Sequence, residues 1–190
     1  MWHEQPDRTG GGGMGHVELV AWVLLIVAMT FLMHEAAHGI AGALLGYDVF
    51  IQVNSSGLVS GDYRSQADKD MISAIGPVVT IIQGLLGVWL TAKHRSLQAF
   101  AVVFSALMMR VLAAVASLRL PNDEARLGLS WGVGYWTVHA VVILALLALT
   151  IWATMGLKPK ILHIAGLFVL VVVSILAVVL AERFLPIIYL

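Results

Sequence analysis

The chain has 190 residues and a net charge of zero, from 11 basic and 11 acidic side chains; 60% of it is hydrophobic and only 12% charged. With a mean hydropathy of +0.93, this excludes a soluble globular domain, and the balanced charge leaves no basic surface for nucleic acid. The absence of cysteine excludes disulfides, thiolate metal ligands and a cysteine nucleophile together, so any metal must be held by His, Asp or Glu.

The first sixteen residues are polar and include Gly10 to Gly13, without the charged-then-apolar order of a cleavable signal. They read as a flexible tail, with Met14 as an alternative start. The first apolar stretch, Leu19 to Tyr47, opens with fifteen uncharged residues and then reaches His34-Glu35-Ala36-Ala37-His38. Two imidazoles four residues apart project from one face of a helix and can hold one zinc ion. The glutamate between them sits where it can polarise a bound water. Ionisable groups at membrane depth cost about 2.5–3.5 kcal/mol each on insertion scales, so three within five residues imply a function.

Between the first two spans, Val49 to Asn54 alternates, Ser55-Ser56-Gly57 gives a turn signal, and Leu58 to Tyr63 reads as a return strand. A short hairpin within 48–64, lying against the membrane domain, is the expectation; an ordered loop is the alternative. Met71 to Ala92 is the second span and Leu97 to Leu118 the third, interrupted only by Arg110. Arg110 is expected to face the bundle interior and pair with a carboxylate, Glu35 or Asp123, or to help position a substrate carbonyl. Leu129 to Leu157, bounded by Trp131, Tyr135 and Trp136 at one end and Trp152 at the other, is the fourth span, and Ile161 to Ala181 the fifth. His139 and His163 lie singly in these spans, where hydrogen bonds between helices are expected. Loop Lys and Arg divide evenly between the two faces, so orientation is not fixed.

At 1.5 Å per residue, His34 lies roughly 25 Å along the first span from Val17, near the face where that span exits. The third span returns to the same face and ends at Pro121-Asn122-Asp123-Glu124. Asp123 is therefore the candidate third metal ligand, with Glu124 as competitor. Two His and one carboxylate leave the open position that catalytic zinc requires.

The helical HExxH followed by Gly39, the Ile75-Gly76-Pro77 of the second span and the aspartate after the third span resemble the site-2 protease family of intramembrane zinc metalloproteases. The resemblance covers about residues 17 to 130 and implies a three-helix catalytic core, with His34, His38 and Asp123 as zinc ligands and Glu35 as general base. It also implies cleavage of a transmembrane segment in a membrane-protein substrate. Thr80 stands where that family usually has asparagine, and its Asn-x-x-Pro to Leu-Asp-Gly pattern is shortened here to Leu120-Pro121-Asn122-Asp123-Glu124.

The expected fold is thus an all-α integral membrane domain of about five spans. It comprises the tail 1–16, a core 17–130 containing the hairpin, and two further helices in 131–190. The lipid bilayer is its surrounding, in a bacterial or archaeal cell membrane. The function expected is one-zinc proteolysis; the alternative is a catalytically inactive protease-like subunit that stabilises a larger membrane complex.

Overall fold

The computed structural model describes residues 16–190. The expected flexible tail lies outside them except for its last residue, His16, which opens the first helix. Among the described residues the order is α1 (His16–Leu44), β1 (Val49–Ile51), β2 (Ser56–Leu58), α2 (Gln66–His94), α3 (Leu97–Ala116), α4 (Asp123–Ser130), α5 (Thr137–Leu157), α6 (Ile161–Ala181) and β3 (Ile188–Tyr189). Five of the helices, all but α4, are long and apolar enough to cross a membrane. Their outward faces expose Trp22, Leu25, Ile82, Trp89, Leu144 and Leu176, a surface suited to lipid rather than water. The protein is an all-α, multi-pass membrane protein.

Local sequence accounts for where the helices stop and start. At the end of α1, Gly46 adopts φ +78°; its N–H donates to Ala43 O (2.9 Å) and that of Tyr47 to Gly42 O (3.1 Å), satisfying carbonyls that the helix leaves open. Ser65, Ser96 and Asn122 cap α2, α3 and α4, each accepting from a backbone N–H three residues on.

Helix α2 is central because one of its faces is built from small residues. Gly76, Thr80, Gly84, Gly87 and Thr91 are all buried, and in lipid such faces let helix backbones approach closely. A Cβ at Gly87 would lie 2.5 Å from the backbone N of Val103 on α3, and one at Gly84 would lie 2.7 Å from the Leu146 side chain on α5. Val23, Val27 and Phe31 of α1 join Phe100 and Val103 of α3 and Leu167, Val171 and Ile175 of α6 in the main apolar core. A hydrogen bond from Gln83 Nε2 to Thr30 Oγ1 (2.5 Å) ties α2 to α1.

The hairpin forms, but not in the register the sequence suggested. Its turn spans residues 52–55, closed by Gln52 N to Ser55 O at 2.7 Å. The return strand is Ser56–Leu58, with Ile51 opposite Ser56 and Val49 opposite Leu58. The shift has a tertiary cause, since Ser55 and Ser56 are each engaged by a distant carboxylate. A third strand, β3, pairs antiparallel with the other edge of β1, giving the order β2-β1-β3. Strand β1 lies directly on α1, where Val49 and Ile51 fill the space that side chains at Gly42 and Gly39 would occupy.

A second correction concerns the fourth span. Residues 129–136 do not begin it: α4 ends at Ser130, and a turn with Gly132 at φ +68° and Gly134 at φ +99° precedes α5 at Thr137. The aromatic cluster resembles a span boundary in composition, but left-handed glycines break the helix there.

Candidate metal centre

The HExxH sequence falls in the last third of α1, on the face turned towards α2 and α4. His34 and His38 are buried, and their rings meet edge to face with centroids 4.7 Å apart. Their Nε2 atoms are 3.2 Å apart, and Asp123 Oδ2 lies 3.2 Å from that of His34 and 3.1 Å from that of His38. These three residues could hold a metal ion. The Asn122 cap places Asp123 at the start of α4, which delivers its carboxylate from 85 residues away in sequence.

The surrounding bonds fix which ring nitrogens face the centre. Thr80 Oγ1 donates to Gly76 O (3.0 Å), leaving a lone pair to accept the Nδ1–H of His34 at 3.1 Å. The Nδ1–H of His38 donates to Ile72 O at 2.5 Å. In neutral imidazoles so bonded, both Nε2 atoms are acceptors. Asp123 Oδ1 accepts from Arg126, so its Oδ2 is left for the same point. Three acceptors converging within 3.2 Å repel one another unless a cation lies between them. Zinc bound tetrahedrally at about 2.0–2.1 Å separates its ligand atoms by roughly 3.3 Å, close to what is seen here.

Space for the two rings comes from Gly76. A Cβ there would overlap His38 Nε2 and lie 2.5 Å from His34 Cε1. At the next position Pro77, inside α2, has no N–H to give the Ser73 carbonyl.

Glu35 is not one of the three converging groups. Its Oε2 accepts from Ser56 Oγ at 2.7 Å, so β2 orients it. The loop before Ser56 is held in turn by Glu182, whose carboxylate accepts from Ser55 Oγ (2.5 Å) and Asn54 Nδ2 (3.4 Å). Two clefts open beside the carboxylate. One of about 260 Å³ runs along β2 past Tyr63, Ser73 and Arg126. The other, of about 280 Å³, lies between α1, α3 and α6.

Arg110 faces the interior as expected, but its partner is neither Glu35 nor Asp123. Its Nη1 donates to Glu124 Oε1 at 3.0 Å, with both side chains buried. Glu124 therefore lies outside the converging triad. Successive residues of α4 point in different directions, so the carboxylate beside Asp123 is aimed at α3 instead. His139 is also buried, 4.0 Å from Glu124 Oε2, and neither of its nitrogens makes a hydrogen bond among the described residues; His163 is exposed on α6. The bonds between helices expected of these two histidines are thus not formed. Replacing Arg110 by Leu should destabilise the fold by about 3–5 kcal/mol, because it leaves Glu124 charged, buried and unpaired. Unfolding in detergent measures this. The double variant Arg110→Met/Glu124→Leu should recover most of the loss, and a single variant as stable as wild type would contradict the argument.

Thr80, Ser56, Arg126 and the Ile72 carbonyl were not singled out by sequence reasoning as supports of this centre. Thr80 had one legible signal, its spacing of four from Gly76 on the same face of α2. The chain matches no protein-family model, no curated protein and no solved structure. Fold and site together define a class: a multi-pass membrane protein in which two buried histidines and a half-buried aspartate form a group able to hold a metal ion.

Proposed function

We propose that this protein is an intramembrane zinc metalloprotease that hydrolyses a peptide bond within or near a transmembrane segment of another membrane protein. The observation that carries the reading is the convergence of His34 Nε2, His38 Nε2 and Asp123 Oδ2 beside Glu35, with each ligand oriented by a second partner. Outer-sphere support of this kind is characteristic of metal ligands. The resemblance to the site-2 proteases supports the same reading, and Thr80, at the position where that family usually has asparagine, here accepts the His34 Nδ1–H.

The donor set of two imidazoles and one carboxylate suits zinc and leaves a position open. When bound there, zinc would act as a Lewis acid towards the scissile carbonyl and lower the pKa of water at the site. Glu35, on the same turn of α1 and lining both clefts, takes the proton from the attacking water and returns it to the leaving amine. Ser56 holds the Glu35 carboxylate at the cleft wall during both transfers. A substrate helix must first unwind, because its carbonyls are otherwise bonded internally. Among the described residues, strand β2 has one unpaired edge along the polar cleft, while β1 is paired on both sides. An unwound segment can therefore add to β2 and gain backbone hydrogen bonds.

The test is metal content of detergent-purified protein by mass spectrometry. Wild type reconstituted with zinc should carry about one ion per chain, as a single site of three protein ligands predicts, and His34→Ala and Asp123→Ala should carry almost none. A wild type that takes up no zinc overturns the proposal in favour of the non-proteolytic subunit of a membrane complex.

A further inference from the structure

The two clefts share Glu35, Asn54, Asn122 and Asp123, yet their walls differ in chemistry. Away from these shared residues, the cleft along β2 presents Ser55, Ser56, Tyr63 and Arg126. The cleft between α1, α3 and α6 presents Phe31, Met109, Leu112, Ala113, Ile175 and Val179. Besides the four shared residues, its polar lining is His34 of the metal centre and Arg110, whose Nη1 is paired with Glu124. Among the shared residues, Asn122 has an unanswered group: its Oδ1 accepts from Ala125 N (3.3 Å), while its Nδ2 is buried without a partner among the described residues. Buried donors of this kind require an acceptor.

We propose that the cleft between α1, α3 and α6 is a substrate subsite that takes a large apolar side chain next to the scissile bond. In this arrangement Asn122 Nδ2 donates to a backbone carbonyl of the same substrate segment. The inference rests on the peptidase reading and names its substrate class: a chain that passes from apolar to polar sequence at the cut, with a bulky residue on the apolar side. A lipid acyl chain fits the observations less well, because it offers nothing to Asn122 or to the other polar side chains that line the cleft. An extended peptide supplies both a carbonyl and a side chain within one residue.

Ala113, on α3, and Val179, on α6, line the cleft from different helices, and neither is buried. A larger side chain at either position fills the cleft without entering the core. The experiment uses zinc-loaded protein in detergent and three hydroxamates, which seek the metal: acetohydroxamic acid, phenylpropanohydroxamic acid and the carboxylate-bearing succinohydroxamic acid. Affinities are measured by calorimetry. Wild type should bind the phenyl compound about tenfold or more tightly than the other two, since burying such a group in an apolar cleft contributes that much or more. In Ala113→Phe and in Val179→Trp the preference should fall to within about threefold, as loss of that burial requires, with acetohydroxamate binding unchanged. Should Ala113→Phe fail to fold, Val179→Trp decides the question alone. No phenyl preference in wild type, or one that survives in the folded variants, overturns the subsite. A wild type that loads no zinc, or that loads it without binding acetohydroxamate, overturns the peptidase reading itself.

Discussion

Glu35→Gln is expected to abolish peptide hydrolysis while leaving zinc content at the wild-type level. The side chain is not one of the three converging groups, and its Oε2 is engaged by Ser56 at 2.7 Å rather than by an imidazole. Glutamine keeps the volume and still offers an oxygen to the Ser56 hydroxyl, so the hairpin should stay in place on α1. What the amide cannot do is take a proton from water and return it to the leaving amine. Losing a positioned general base lowers rates by about a hundred- to ten-thousand-fold. The measurement pairs turnover of a transmembrane reporter that wild type cleaves with metal content of the same preparations. Full turnover by the variant would remove Glu35 from the reaction, and loss of metal would reassign it to the site's architecture.

The second large effect is expected from a residue that bears no functional group. Gly76→Ala places a methyl carbon against His38 Nε2 and within 2.5 Å of His34 Cε1 and 2.6 Å of His38 Cε1. Neither ring can turn aside without cost, because Thr80 holds one through Nδ1 and the Ile72 carbonyl holds the other. Nor can α2 retreat freely, since its small residues at Gly84 and Gly87 are packed closely on α5 and α3. All three candidate ligands remain in this variant, yet zinc affinity should fall by at least the 10–100-fold that typically follows the loss of an outer-sphere support. Gly166→Ala on α6 is the matched control, because no neighbouring atom of the described residues lies within 4 Å of the added carbon. Competition with a chelator reports both affinities. Wild-type affinity in Gly76→Ala would mean that the rings are not confined by α2.

Much of the architecture was legible because lipid imposes simple rules on a chain. Each span must bond its backbone internally, so length and apolarity alone marked the five long helices. The pair His34 and His38 was legible for a similar reason, since helical geometry fixes the separation of residues i and i+4 whatever surrounds them. Topology carried the argument one step further, because an odd number of crossings after α1 cannot bring Asp123 to its site face and an even number can.

Beyond that, sequence position gave no purchase. Asp123 and Glu124 are adjacent acids, and only the packing of α4 decides that one converges with the imidazoles while the other pairs with Arg110. The hairpin register was set by Glu35 and Glu182, which draw Ser56 and Ser55 from outside the hairpin, and β3 joins from nearly 140 residues along the chain. Thr80 and Gly76 acquire their roles only where the face of α2 meets the rings of α1. Local rules specify which segments cross the membrane and which residues share a helix face. Which faces meet, and so which polar groups become partners, depends on close packing between helices distant in sequence, and that was decided by the tertiary structure alone.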